Sequence, residues 1–387
     1  MTFAEIFDAF LVPRENGSEA LPQVATWLEK AGRASGADVM LQEFVCRPYV
    51  HRLAGVVVLL LASAFVVSVW RKQFAWALGM ALLLPAYLLL EIEGYVPLLS
   101  GLLPAREQNV VLSFPVADAL QTVILGAHYD TKTDLLDHYQ RAPIQFLIAP
   151  MALLTIAAAI SGWRRMRRGA PLRGVQIAAG VLGLYYFALF LALTGGALVP
   201  DRSPGALDDG ASVALLLRVG DALGSGEVKL ERTEVKIVFF AGEEVGAQGS
   251  RAFVREHYRT APPRPTVFVN AEGLGFGPDL RYFTSDRFFL HRYDASSPVV
   301  RILDRAYRSV SGKGIQPDPQ PVITDARSFM AVGIPSVCVA SSRGPDDMVR
   351  GLHSARDSVD RIDEPALERT LRFYKAALRE FDRTVGS

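Results

Sequence analysis

Four stretches of the chain are apolar and hold no Asp, Glu, Lys or Arg: Leu53 to Trp70, Phe74 to Leu90, Ala142 to Trp163 and Gly174 to Val199, 18, 17, 22 and 26 residues long. About 20 apolar residues carry a helix across a bilayer, so each stretch predicts a transmembrane helix. A helix buried in a soluble core rarely stays uncharged on every side for so long. Trp70, Trp76, Tyr87, Tyr95 and Trp163 stand at or near the ends, where interfacial aromatic rings belong.

The connections pair these stretches. Residues 71–73 alone join the first two and residues 164–173 the last two, so each pair is a tight hairpin that returns the chain to the side it came from. Residues 1–52, 91–141 and 200–387 then share one face of the membrane and form one discontinuous domain, with hairpins at 53–90 and 142–199. The two loops hold Arg71, Lys72, Arg164, Arg165, Arg167, Arg168 and Arg173, whereas the opposite flanks mix Glu91, Glu93, Asp137 and Asp201 with Arg52, Arg141 and Arg202. The positive-inside rule predicts a multi-pass cell-membrane protein with cytoplasmic hairpin loops and an extracytoplasmic, periplasmic domain. No signal peptide is visible, since MTFAEIFDAFLVPRENG lacks a basic start and a long apolar run.

Elsewhere strand and helix patterns alternate. Leu21–Ala34, Ala211–Leu223, Pro298–Ser309 and Pro365–Thr384 read as helices; Asp38–Phe44, Val235–Phe240, Thr266–Asn270 and Pro335–Ala340 read as strands, and Asn109–Phe114 with Thr122–Ala127 as a strand pair. Such alternation predicts an α/β domain with a largely parallel sheet covered by helices.

Composition sharpens this picture at three points. Half the residues are hydrophobic, which fits a chain with membrane helices. With 41 basic and 40 acidic residues, the net charge of +1 gives no global field for nucleic acid, so RRMRR beside two spans reads as an orientation signal and an anionic-lipid contact. The two cysteines, Cys46 and Cys338, are too few for a disulfide framework and read as buried thiols.

Candidate chemistry sits where predicted strands end: His128 and Asp130 after QTVILGA, Glu243 and Glu244 after VKIVFFA, Glu272 after TVFVN, with Asp208 and Asp209 in GALDDGASVA and His353 in GLHS. Open α/β sheets place ligands at the carboxyl ends of their strands. Two histidines with several carboxylates supply the nitrogen and oxygen donors that zinc takes, with acids to spare for a bridge and a base. Adjacent acids are usually a solvated turn, but Glu243-Glu244 follows a run that reads as fully buried, where uncompensated charge is costly. No GxSxG elbow offers a rival nucleophile.

These residues lie in GAHYDT, SPGALDDGASVA, VFFAGEEVGAQGS, VFVNAEG, TDARSFMAVGIPSV and GLHSARDSVDRID, six motifs in an order that resembles metallopeptidase family twenty-eight, the superfamily (clan MH) of two-zinc aminopeptidases, glutamate carboxypeptidases and glutaminyl cyclases. The resemblance implies a phosphorylase/aminopeptidase-like mixed sheet and two Zn2+ ions. His128 and Glu272 would hold one ion, Glu244 and His353 the other, with Asp208 bridging them. Glu243 would be the general base, Asp130 the acceptor for the ring N–H of His128, and Asp325 a supporting residue. It also implies a cis peptide bond from Asp208 to Asp209. Glu272 departs from the Asp usual in the family, and the hairpins depart further, the second falling between His128 and Asp208.

The expected activity is that of a membrane-anchored zinc exopeptidase, foremost an aminopeptidase, acting on peptide or protein substrates, with the bilayer as a second partner. Twelve residues from Asp130 to Ala142 and nine from Val199 to Asp208 reach at most about 40 and 30 Å when extended, which makes membrane-presented substrates a reading to weigh against simple anchoring. The alternatives are a non-peptidase amidohydrolase or a glutaminyl-cyclase-like acyltransferase, against which His128 speaks, and a dead binding protein, against which the complete ligand set speaks. A transporter would carry ionisable residues within its spans, and the four stretches have none. Tyr282, Phe283, Phe288, Phe289 and Tyr293 form an aromatic cluster that fits a substrate pocket or ordinary packing.

Overall fold

The structure, a computed structural model, describes residues 1–93, 96–200, 202–258, 260, 262, 264–288, 291–320, 322–342 and 350–385. Tyr95, Asp201 and Phe289 lie outside the described residues, as do the side chains of Glu93 and Phe288. The chain divides into two units: Met1–Pro48, Ala105–Lys132 and Arg202–Ser387 form one, Tyr49–Pro104 and Thr133–Asp201 the other. Residues 91–104 and 133–141 thus go with the apolar hairpins.

In the apolar unit four helices, Val50–Trp70, Phe74–Ile92, His138–Arg167 and Arg173–Leu198, are long and apolar enough to cross a membrane. Small residues let them approach: a Cβ on Gly162 would fall 2.0 Å from the Phe74 ring, and one on Gly55 2.1 Å from Thr194 Oγ1. The third helix breaks at Leu147, between His138–Phe146 and Ile148–Arg167, where Pro150 has no N–H to bond the Phe146 carbonyl. One expectation needs correction. The second span runs on to Ile92 and so includes Glu91, which is buried and accepts hydrogen bonds from the Leu99 N–H, the Ser100 N–H and the Ser100 hydroxyl. Those donors satisfy a carboxylate that would otherwise be costly there.

The other unit is a mixed α/β fold. Its strands are β1 (Asp38–Cys46), β2 (Ala105–Phe114), β3 (Gln121–His128), β4 (Thr233–Phe240), β5 (Thr266–Glu272), β6 (Asp279–Phe283), β7 (Ser285–Phe288), β8 (His291–Asp294), β9 (Gln316–Asp318) and β10 (Ser336–Ser342). Eight of them form one sheet in the order β1-β2-β4-β3-β5-β10-β6-β9, while β7 and β8 form a separate ribbon. The centre, β4-β3-β5-β10, is parallel throughout. All eight residues of β3 are buried, as expected for a strand covered on both faces. Gly126 within it makes room for aromatic packing, since a Cβ there would lie 2.6 Å from the Phe268 ring and 2.8 Å from the Phe240 ring.

The helices at Ala20–Ala34, Ala211–Gly224, Ser297–Ser311 and Glu364–Thr384 match the periodic segments to within a residue or two. The two strands read at Asn109–Phe114 and Thr122–Ala127 are present as β2 and β3, with β4 lying between them in the sheet. Both cysteines are buried and free. Of the aromatic cluster, Phe283 belongs to the hydrophobic core with Phe240, Phe253, Phe268 and Phe329.

Candidate metal centre

The parallel centre of the sheet delivers the site. His128 ends β3 and Glu272 ends β5, the neighbouring strand, while Glu243 and Glu244 leave β4 on the other side through Ala241-Gly242. Gly242 has φ +75°, a left-handed turn that a side chain would resist. Asp208 lies in the turn Ala206–Gly210, just before the helix Ala211–Gly224; its backbone (φ −118°, ψ 85°) is not helical, and its peptide bond to Asp209 is cis. His353 itself adopts φ +60°, an uncommon conformation outside glycine that often marks functional positions.

The five expected ligands converge as two pairs around one carboxylate. His128 Nε2 is 3.0 Å from Asp208 Oδ1 and 3.4 Å from Glu272 Oε1. His353 Nε2 is 3.2 Å from the other oxygen, Asp208 Oδ2, and 2.8 Å from Glu244 Oε1. Ligand atoms of His128, Asp208 and Glu272 all lie within 4.8 Å of one another. His128, Asp208, Glu244 and His353 are buried, whereas Glu272 and Glu243 are half-buried and open toward solvent.

Around this pair the acids are held by backbone. Asp130 accepts from the Glu243 N–H at 3.2 Å, the Glu244 N–H at 3.1 Å and the Asn16 side chain at 2.6 Å. Its carboxylate was expected on the ring N–H of His128, but it stands 3.6 Å from Nδ1, whereas the Asp130 backbone carbonyl is 3.1 Å away. The carboxylate is engaged instead in fixing the turn that carries Glu243 and Glu244. Asp209 accepts from the His128 N–H and the Gly273 N–H, linking β3 to β5. Asp357 accepts from the Leu207 N–H at 2.8 Å and the Asp208 N–H at 3.2 Å.

Protein groups alone leave this spot short of positive charge. Burial pulls the His128 imidazole down, but contact with Asp130, Asp208 and Glu272 outweighs it and holds that pKa well above its usual value. Burial likewise opposes charge on Asp208, yet His128 and His353 bring its carboxyl well below the usual range. Burial raises Glu243 well above the usual carboxylate value; His128 opposes, and Glu272, Glu244 and Asp325 add to the rise. Asp325, fully buried, is pushed up to about 7 by burial, against Ser250 and His128 and with Glu272 and Asp130. The carboxylates gathered around His128 and His353 give the spot an excess of negative charge that a bound cation would offset.

Imidazole nitrogen with carboxylate oxygen is a donor set that zinc accepts. Glu244 Oε1 supplies a direct test of fit, since it is buried, accepts no hydrogen bond among the described residues, and faces His353 Nε2. Two ligands of a common cation stand in that relation.

Sequence motifs missed the strap behind the site. Arg14 is fully buried and donates from its guanidinium to the carbonyl oxygens of Val12, Tyr129, Pro204 and Gly205. Asn16 reaches Asp130, and the Gly17 N–H donates to Glu107 at 2.7 Å. No periodicity marks Val12 to Gly17; the one signal is an arginine in a turn-rich run, which is common.

Glu107 offers a pH-dependent check on this packing. Burial, opposed by the Gly17 N–H and aided by Asp130, raises its carboxyl from 4.5 to about 7. Stability from this group is complete below the unfolded value of 4.5, falls as pH rises, and is lost above about 7, a change of at most about 3 kcal/mol. Glu107→Gln is therefore expected to melt higher than the parent at pH 8 and near it at pH 5. An equal offset at both values in thermal melts would show that Glu107 does not titrate in this way.

The sheet order, the helices covering it and a ligand cluster at the strand ends define an aminopeptidase-like α/β fold. The chain resembles peptidase family M28, whose model matches residues 193–378. Among solved structures, the Legionella pneumophila aminopeptidase LapA aligns with a TM-score of 0.55 at 12% identity over 98% of this chain and 71% of its own. A glutaminyl cyclase from Fimbriiglobus ruber aligns at 0.58 and 15% identity, covering 98% and 92%, and a Zn-dependent exopeptidase from Parabacteroides distasonis at 0.55 and 15%, covering 97% and 96%. At such identities the likeness is one of fold. No curated protein matches the chain significantly.

Proposed function

We propose that the chain is a membrane-anchored, zinc-dependent aminopeptidase that hydrolyses peptide bonds with a water activated by two metal ions. The observation that carries this reading is Asp208, whose two carboxylate oxygens face two separate His/Glu pairs, His128 with Glu272 and His353 with Glu244. That is the geometry of a bridging ligand. His128, Glu272, Asp208, Glu244 and His353 would hold the zinc, which would supply an acidified water and polarise the scissile carbonyl, so that no nucleophilic side chain would be required.

The chain's own groups do the rest. Glu243 sits beside the cluster and is half-buried, where its carboxylate can take a proton from water and return it to the leaving amine. Its position is fixed from behind, because Asp130 grips both its N–H and that of Glu244. Asp357 and Asp209 keep the bridging turn and the two strand ends in register.

The four apolar helices anchor the protein in the cell membrane, with the basic loops at 71–73 and 164–173 on the cytoplasmic side and the catalytic unit outside. Peptides or proteins are the substrates, including those presented at the membrane. A glutaminyl-cyclase-like acyl transfer is the competing reading on this scaffold, and the full first pair of His128 and Glu272 favours the two-metal hydrolase.

Digestion of a peptide library by the zinc-loaded, detergent-solubilised protein, followed by mass spectrometry, tests these readings together. Products shortened one residue at a time from the amino end are expected. Shortening from the carboxyl end would refute the aminopeptidase, and loss of ammonia from amino-terminal glutamine without shortening would establish the cyclase.

A further inference from the structure

We propose that Arg14 is a positioning residue for the metal pair, a buried guanidinium that staples the loop after His128 to the loop before Asp208. This inference rests on the two-metal reading above and extends it to a residue outside every catalytic motif. The His128 loop contributes the carbonyl of Tyr129, which accepts from Arg14 Nε. The Asp208 loop contributes the carbonyls of Pro204 and Gly205, which accept from the two terminal nitrogens, the latter at 3.1 Å. Val12, on the strap itself, accepts the remaining bond at 3.1 Å.

The strap is fixed to the same place by its backbone. The Arg14 N–H donates to Thr131 Oγ1 at 2.9 Å, Thr131 N–H donates back to the Arg14 carbonyl at 3.2 Å, and Glu15 bridges Thr131 in parallel. One residue further on, Asn16 holds Asp130. The bridging loop is therefore gripped from two sides: Arg14 takes its carbonyls at Pro204 and Gly205, and Asp357 takes its N–H groups at Leu207 and Asp208. Gly205 has φ +59°, and a Cβ there would lie 2.3 Å from Thr131, so the loop before Asp208 passes too close to the loop after His128 for a side chain at that position.

Guanidinium suits the task better than ammonium, because its planar fork reaches several carbonyls in fixed directions. Burial lowers the Arg14 pKa to about 10, with Asp130, Asp357, Asp209 and Asp208 opposing the fall, so it stays charged at neutral pH. A buried guanidinium whose hydrogen bonds among the described residues all go to neutral carbonyls is a costly way to fold a loop. It is economical where the neighbouring carboxylates must be held at a fixed spacing for two cations.

The test compares wild type, Arg14→Met and Arg14→Lys for zinc dissociation constants by chelator competition, together with melting temperature and the kcat and KM of zinc-saturated protein. Loss of a group that orients metal ligands typically costs 10–100-fold in metal affinity. Arg14→Met is expected to lose that much, with kcat falling and KM unchanged, since Arg14 is fully buried and open to no substrate. Arg14→Lys, which keeps the charge without the fork, is expected to recover only part of the affinity. If Arg14→Met binds zinc within threefold of wild type, Arg14 serves folding alone and the inference is overturned. Should Arg14→Met fail to fold, Arg14→Lys decides, and wild-type affinity in that variant overturns it equally. A wild-type chain that binds no zinc refutes the two-metal reading first, and this inference with it.

Discussion

Glu243→Gln is expected to abolish turnover while leaving two equivalents of zinc bound, whereas Glu244→Gln loses both turnover and metal. The two residues are adjacent, and both N–H groups are held by Asp130, so backbone anchoring does not distinguish them. Their side chains do. Glu244 is buried with Oε1 2.8 Å from His353 Nε2 and no hydrogen bond to that oxygen among the described residues, the arrangement of a ligand. Glu243 forms no ion pair with either site histidine among the described residues, and it is half-open to solvent. A general base contributes roughly 100-fold to 10,000-fold, and its amide analogue cannot accept the proton. Zinc content of the two purified variants, set beside their rates on a peptide substrate, checks the assignment. Equal metal loss in both would show that the roles are assigned wrongly.

Much of this was legible in the sequence, for physical reasons that can be named. Uncharged runs mark the four apolar helices because helices of a soluble core rarely stay uncharged for so long, and the helices overrun those runs where polar residues still fit the helix, starting at Val50 and His138 and ending at Ile92 and Arg167. Of the candidate ligands, His128, Glu244 and Glu272 stood out in the sequence because they end or directly follow strands of the sheet's parallel centre, whereas Asp208 and His353 lie in turns away from strand ends and were marked only by their motifs. Strand order was not, since β4 enters between β2 and β3 from more than a hundred residues downstream, and local periodicity says nothing about such pairing. The roles of Asp357 and Arg14 were hidden for a related reason. Both bind backbone groups of remote loops, and a backbone carbonyl or N–H leaves no residue type to read.

Asp208→Ala is expected to lose both zinc equivalents, while His353→Ala keeps one. The contrast follows from which atoms face which pair. Asp208 Oδ1 lies 3.0 Å from His128 Nε2, and Oδ2 lies 3.2 Å from His353 Nε2, so truncating Asp208 strips a donor from both halves of the site. Each half is then left with one imidazole and one carboxylate, His128 with Glu272 or His353 with Glu244, too few protein ligands for a tight zinc site, which normally has three or four. Truncating His353 removes a donor from one half only. His128, Glu272 and Asp208 remain as a set whose ligand atoms lie within 4.8 Å of one another. Metal analysis after dialysis should therefore read about two, one and zero equivalents for wild type, His353→Ala and Asp208→Ala, and activity should vanish in the last while a residue survives in the second. One tight equivalent retained by Asp208→Ala would mean that the carboxylate does not bridge, and the site would then be read as a single-zinc centre.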